Sequence, residues 1–380
     1  MTDLSDLDQA VLPGGVPSCD LLDQPLRTEV LTGARAVAAL GRTATFIDER
    51  AEAFSARSAW LVAAAEHLGG ETVVVLVRRD EQVVALAALS VSRRRGVARV
   101  AILGGELNDY AQLHHADGAS AEALARAVAD WVRGHRRWRL DLGQLPEQDP
   151  AVLALAAELP GAVISRGAPI PRIVGVGSDY RVKRDRRRKA TGAFNGVGRD
   201  GLAAAKVVVD RADELERWLP ELIAVRRERD HACGRRSVLD DPGARAFHET
   251  VLRTEFAAGR GILHLMLVEG EVAGYLVVLV EGDTHRAFDG RVAEKWAHYR
   301  GGVVCDLEAV IAAHADPGVH TFDWLRGWTE AKFGNAEVFR CELRATSHGH
   351  LETAERWRTA FRQRAKSVLP RSLVRRIVAR

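Results

Sequence analysis

The stretch from Arg286 to Lys332 concentrates the residue types that can do chemistry. A short strand, Arg286-Ala287-Phe288-Asp289, ends on a carboxylate. A polar loop then closes on Tyr299-Arg300-Gly301-Gly302, where a helix is expected to begin at once. Two adjacent glycines let the backbone approach an anion closely, and a helix start offers unpaired N–H groups at the positive end of its dipole. Arg300 adds a charge that pairs with phosphate. Such a loop suits a pyrophosphate. It is not a dinucleotide fingerprint, because the preceding strands form a meander and no GxGxxG follows a strand. Taken alone, two glycines before a helix also make an ordinary tight turn.

Each candidate has a plainer alternative. Asp289 precedes Gly290, a favoured turn pair. Asp323 falls inside an apolar strand, where a carboxylate must be hydrogen-bonded and serves structure as readily as chemistry. Glu330 and Lys332 also fit a solvated helix face. Arg229-Asp230-His231 with Cys233 invites a nucleophile reading, but the spacing shows neither a positioned base nor a cause for a lowered thiol pKa. His114-His115 lacks a third ligand at metal-like spacing, and the four cysteines form no CxxC pair, so no metal is expected. Cys305, one turn into the helix after the glycines, is expected to pack near whatever that helix holds.

The elements that must position these residues repeat. Helices are expected over 31–40 and 54–68, a three-strand meander over 72–77, 82–91 and 97–103, a helix over 121–133 and a strand over 138–142. A short helix at 151–159 and closing strands at 162–165 and 170–176 complete this half. After a basic run at 183–189 the order returns: a strand at 202–209, helices at 212–229 and 244–257, and strands at 261–268, 271–281 and 284–289. The helix at 302–314 and a strand at 320–325 close the series. The expectation is an α/β (α+β) chain of two tandem units, each a mixed, mostly antiparallel sheet flanked by helices. The units would span 26–178 and 179–350. A flexible N-terminus over 1–25 and basic amphipathic helices over 351–380 would flank them, the latter docking on their own domain or touching anionic lipid.

With 54 Lys+Arg against 51 Asp+Glu, a net charge of +3 on 380 residues is far too small for a dedicated DNA binder. Hydrophobic residues at 47% and charged residues at 28% fit a folded globular chain. Arginine far outnumbers lysine, the codon bias of a GC-rich bacterial genome. The acidic N-terminus is unlike a signal peptide, no stretch reaches the ~20 apolar residues of a membrane span, and the scattered cysteines fit a reducing cytoplasm.

Several segments resemble one branch of the GNAT (Gcn5-related N-acetyltransferase) superfamily, the CelD/BioF2-like acyltransferases. These are Phe288-Asp289, the Gly-Gly helix start, and Asp323-Trp324-Leu325-Arg326-Gly327-Trp328-Thr329-Glu330-Ala331-Lys332. Ala331 stands where the branch has an aromatic, and Gly301 where it has proline. Leu103–Tyr110, Trp138–Pro146 and Tyr180–Arg188 are similar to other segments of the branch. The resemblance implies a tandem GNAT arrangement related to the Fem peptidyltransferases. It places acetyl-CoA, or another acyl-CoA, between the strands at 284–289 and 320–325. Phe288, Tyr299, Arg300, Gly301, Gly302, Val303 and Val304 would hold the cofactor. Asp289 would act as base, followed by Asp323, Glu330 and Lys332 as positioning or proton-handling groups. Asn108, Asp109, Tyr110, Arg229, His231 and Trp328 would contact a small-molecule amine. The N-terminal unit lacks the Gly-turn helix start, with Gly118-Ala119-Ser120 in its place, and is expected to be cofactor-free and to shape the substrate cleft. Two rivals stand beside this reading: a Fem-like transferase drawing on aminoacyl-tRNA, and a non-catalytic GNAT pair assisting polysaccharide biosynthesis.

Overall fold

A computed structural model describes residues 25–105, 107–177, 181–327 and 332–347. The expected N-terminal and C-terminal flanks, Trp328 and Glu330 lie outside the described residues.

The first half opens with β1 (Leu26–Thr32), α1 (Gly33–Arg42), α2 (Ala44–Asp48) and α3 (Ser58–His67). The meander follows as β2 (Glu71–Arg79), β3 (Gln82–Arg94) and β4 (Val97–Ile102), then β5 (His114–His115), α4 (Gly118–Arg133) and β6 (Trp138–Leu145). Next come α5 (Pro150–Glu158), β7 (Val163–Arg166) and β8 (Ile170–Val174). The second half runs α6 (Arg184–Arg199), β9 (Ala204–Val209), α7 (Ala212–Ala232), α8 (Pro242–Ala257), β10 (Gly261–Val268), β11 (Glu271–Glu281) and β12 (Thr284–Val292). It ends with α9 (Gly301–Ala315), β13 (Thr321–Asp323), β14 (Ala336–Val338) and β15 (Cys341–Thr346).

Two mixed sheets result, ordered β1-β2-β3-β4-β6-β15-β7, with β5 on β3, and β14-β8-β13-β12-β11-β10-β9. Each holds one parallel pair, β4 with β6 and β12 with β13, amid antiparallel neighbours. The repeated order read from the sequence is therefore a repeated topology: a meander, a crossover helix (α4 or α9), and a parallel return strand.

Two expectations change. Leu31 and Thr32, expected to open the helix over 31–40, instead end a strand, because Leu26–Thr32 pairs along its whole length with β2. The helix follows only from Gly33, which takes a left-handed φ of 56°. The segment Ile170–Val174 does not close the first sheet; it pairs with β13 and β14 in the second. In return β15, from the far end of the chain, sits between β6 and β7 in the first sheet. Each half thus lends the other a strand.

Apolar burial falls into three bodies. One lies under α4 and α5 on the first sheet, and one under α9 on the second. The third joins the halves, where Phe54, Trp60 and Leu61 pack with Phe247, Val251 and Leu265. At its centre Trp60 meets Phe247 edge to face at 4.7 Å, and Phe54 meets Phe288 at 5.3 Å.

Candidate functional site

The parallel pair of the second sheet is joined only briefly. Its register ends at Arg286↔Asp323, while β12 continues to Val292. On its other side β12 slips register against β11 between Val277↔Asp289 and Val278↔Ala287, so Phe288 is the extra residue of a bulge. Bulges re-aim side chains and leave a backbone group unpaired. The strand therefore opens toward β13 where its ladder to β11 is interrupted.

At the end of this open stretch α9 begins. Arg300 takes the left-handed conformation (φ 52°, ψ 41°), is exposed, and its own side chain makes no capping hydrogen bond to the helix start. The glycines have a packing duty there. A Cβ on Gly301 would lie 2.8 Å from the Ala273 carbonyl oxygen of β11, and one on Gly302 would lie 2.9 Å from the Val292 side chain. Bare backbone is what lets the helix start rest on the strands beside the opening. Tyr299 is buried and donates to Asp200 of the turn after α6 at 2.7 Å; Val304 is buried and Val303 half-buried. The start of α4, the corresponding helix of the first half, is built the opposite way. Asp117 accepts from the Ser120 amide at 2.7 Å in a capping box and pairs with Arg79 at 3.1 Å. That helix start already holds its own anion.

Asp289 is buried and crowded by cations. Arg226 of α7 lies 3.0 Å from Oδ2, His248 of α8 3.4 Å from the same oxygen, and Arg291 3.5 Å from Oδ1; the Tyr275 hydroxyl donates to Oδ2 at 3.0 Å. Burial alone would raise its pKa. Arg226, the His248 hydrogen bond and Arg291 outweigh it and hold the carboxyl well below its usual range. This corrects the expected role, since a general base works best with a pKa near the operating pH. Asp289 lies against His248, whose ring stacks on that of Phe288 at 5.5 Å.

Asp323 is fully buried and ties the halves together. Its Oδ2 accepts from Arg172 at 2.9 Å, Arg286 at 2.8 Å and the Tyr110 hydroxyl at 2.5 Å, and its Oδ1 accepts from the Leu325 amide at 2.8 Å. The guanidiniums of Arg286 and Arg340 lie 4.5 and 4.9 Å from the Tyr110 ring centroid. Burial and the Asp323 charge push the Tyr110 hydroxyl pKa up. Tyr110, expected to meet substrate, is enclosed as the joint's centre; both its ring and its hydroxyl are committed. Asp323 takes the structural alternative.

The other expected residues separate. Asp109 accepts from Arg326 at 2.6 Å across the halves. Asn108 is fully buried, and neither its amide nitrogen nor its oxygen has a partner among the described residues. Lys332 donates to the carbonyls of Leu325 (3.1 Å) and Arg326, and burial lowers its pKa. Nearby Asp306 of α9 is pushed up to about 7 by burial, against the pull of Lys332 and Arg186. Arg229 pairs with Glu294 and His231 with Asp240, so both are engaged in surface links. Cys233 is exposed. Cys305 is buried with its thiol on the Gly274 carbonyl oxygen at 3.3 Å, and burial raises its pKa, so this thiol is not activated. Among the described residues no group of His, Cys, Asp and Glu could hold a metal, and no helix is long and apolar enough to cross a membrane.

Sequence reading missed Arg226 and His248. A signal existed for the histidine: Ala244, His248, Val251 and Glu255 recur on one buried face of α8, where a helix otherwise presents apolar residues.

Residues 184–333 match the family model described as an acetyltransferase (GNAT) domain. Solved structures similar in fold span both halves. FemX is 9% identical, with a TM-score of 0.55 over 83% of this chain and 98% of that one. The C-terminal (DUF2156) domain of a putative lysylphosphatidylglycerol synthetase from Agrobacterium fabrum is 12% identical, with a TM-score of 0.52 over 83% and 93%. A conserved protein of unknown function from Bacteroides thetaiotaomicron is 9% identical, with a TM-score of 0.50 over 81% and 96%. At these identities the likeness is one of fold. No curated protein matches the chain.

Proposed function

We propose that the chain is an acyl-CoA-dependent N-acyltransferase whose donor binds the second sheet and whose acceptor is a small amine. The observation that carries this reading is the uncapped start of α9 beside the part of β12 that has left β13. Helix N-termini with bare amides favour phosphate oxygens, and Arg300 adds a charge there. The open edge of β12 offers backbone groups to a pantetheine arm. The capped start of α4 supports a first half that holds no donor.

In the reaction an amine that arrives as its ammonium form gives up one proton, its nitrogen bonds to the thioester carbonyl carbon, the carbon–sulfur bond breaks, and the second nitrogen proton goes to CoA, which leaves as its thiol. His248 takes the amine proton, oriented by Asp289, and the bulge at Phe288 supplies a backbone donor for the oxyanion. Arg226 and Tyr275 keep Asp289 ionised and in place.

Calorimetric titration with acetyl-CoA tests the donor site. Binding is expected in the native chain and not in Gly302→Glu, which sets a carboxylate on the helix start; equal binding by both overturns the assignment. The rival donor is aminoacyl-tRNA. It is favoured by the exposed basic start of α6, where Lys183, Arg184, Arg187 and Arg188 sit at the end of the helix least suited to cations. That donor predicts transfer falling steeply with salt and no binding of acetyl-CoA.

A further inference from the structure

One end of the first sheet gathers free cations. β3 and β4 are joined by Arg95-Gly96, both at left-handed φ (52° and 75°), the two-residue turn of a hairpin. Such a turn favours Asn or Asp at its first place, so its geometry does not account for the arginine. β3 ends on Arg93 and Arg94, while its pairing with β2 stops earlier, at Glu71↔Val91. The hairpin tip therefore overhangs the sheet. On its other side the Ala98 amide donates to the Arg137 carbonyl at 2.9 Å, which sets Arg136 and Arg137, at the entry to β6, beside the tip. All five arginines are exposed, and none makes an ion pair among the described residues. β3, β4 and residues 134–137 contain no acid, and Glu71 opens the neighbouring strand. Arg133, just before this loop, is by contrast paired with Asp130 and Glu158.

Charges on an exposed strand end also guard it against pairing with other chains. That accounts for Arg93 and Arg94, but Arg136 and Arg137 lie in a loop, where no edge needs guarding. The chain also leaves the described residues at this end. The Ser347 amide donates to the Trp138 carbonyl at 3.0 Å, and the Trp138 amide donates to the Ser347 hydroxyl at 3.0 Å. β3, β4, β6 and β15 are successive neighbours in the sheet, so this exit and the hairpin tip lie about 15 Å apart by strand spacing. Residues 351–380, which follow, hold nine Lys and Arg against two Glu. From Lys366 onward they hold no acid, and Val368, Leu369, Leu373, Val374, Ile377 and Val378 are interleaved with arginines.

Two kinds of surface present many anions together: a nucleic acid and an acidic bilayer. Nucleic-acid phosphates leave those six aliphatic side chains unserved. A bilayer takes cations at its headgroups and apolar chains just beneath them. Peripheral attachment is also marginal on one signal and stable on two. A fixed cationic patch beside a basic, apolar segment is such a pair. We infer that the end of the first half formed by the β3–β4 turn and the entry to β6 docks on an anionic lipid surface. Arg93, Arg94, Arg95, Arg136 and Arg137 meet its headgroups. Docking of this kind goes beyond the acyl-transfer reading and does not depend on it.

Co-sedimentation of the full chain with vesicles tests this. One set is phosphatidylcholine alone; the other is two parts phosphatidylcholine to one part phosphatidylglycerol. The native chain is expected to bind the acidic set and not the neutral one, more weakly as salt shortens the Debye length. The combined variant Arg93→Gln, Arg94→Gln, Arg136→Gln and Arg137→Gln gives up no ion pair, so its Tm should match that of the native chain. Its affinity for the acidic vesicles should fall at least tenfold, since each cation near such a surface contributes on the order of a fivefold gain. A control combining Lys183→Gln, Arg184→Gln, Arg187→Gln and Arg188→Gln removes the same charge from α6 and should bind as the native chain does. No binding of acidic vesicles by the native chain, equal binding to both sets, or an equal loss in the α6 control overturns the inference. Undiminished vesicle binding in the first variant does so too, and a fall in its filter retention of bulk tRNA would then assign the surface to nucleic acid.

Discussion

A carboxylate surrounded by two guanidiniums, an imidazole and a phenol has lost the freedom to take up protons, and Asp289 is in that position. Asp289→Asn leaves Arg226 buried without its counter-charge, a change that costs roughly 3–5 kcal/mol in comparable buried pairs; urea unfolding should show the midpoint falling accordingly. His248→Gln keeps the ring's neighbours while removing the proton acceptor. It should lower kcat by about a hundredfold and leave acetyl-CoA affinity unchanged, and an unaltered kcat would remove His248 from the reaction. Two other histidines set an acid limit on stability. Burial lowers His114 and His264 to about 4. The unfolded chain takes up these protons near pH 6.5 and the folded chain only near 4, so stability is complete above 6.5 and declines as pH falls. The loss is on the order of 2 kcal/mol for each by pH 5, to be read as a falling Tm between pH 7 and 5. From sequence, the types at Asp289, Asp323 and Gly301-Gly302 were legible because they stand at strand and helix ends within one short stretch. Their partners were not. Arg172, Arg226 and His248 lie far from that stretch in sequence, and no local pattern tells which cation will be buried against which acid.

Helix starts divide the two units. α4 and α9 occupy corresponding places after their meanders, yet one begins with a capping box and the other with bare glycine. Asp117→Ala should cost about 1 kcal/mol of stability and leave acetyl-CoA binding untouched. Gly301→Ala should cost more, because its methyl would press on the Ala273 carbonyl of β11; a loss in thermal shift is expected even without ligand. The meander strands were readable from their apolar runs and short charged turns, and α4, α8 and α9 from helical spacing. β1 was not, because its apolar residues continue without a break into α1 and periodicity alone places no boundary at Thr32. β14 and β15 are short, follow an irregular segment, and carry no helical or alternating signature long enough to read.

At the scale of the molecule, the halves are coupled by exchanged strands, by a shared apolar core, and by the ring of Tyr110 held among arginines over Asp323. Arg340 secures the entry to β15, with Nε on the Gln144 carbonyl at 3.0 Å, Nη2 on the Ala111 carbonyl at 2.9 Å and Nη1 on Glu52 at 2.8 Å. Calorimetric melting is expected to show a single transition rather than two. Separate fragments 26–178 and 179–350 should each fail to fold, since each lacks a strand that the other supplies. Strand partnership of this kind is invisible to sequence reading: β8 follows β7 closely, and nothing in Ile170–Val174 tells which sheet it joins.

The exchange also sets a timetable for synthesis on the ribosome. β6 and β7 are made early, but the strand between them is read out almost two hundred residues later, so the first sheet keeps an open slot while the second is being made. Unfilled slots of this kind invite mispairing with other nascent chains. Polypeptides stalled before Cys341 should be cleaved readily by protease at β7, and should gain protection only once Thr346 has left the exit tunnel.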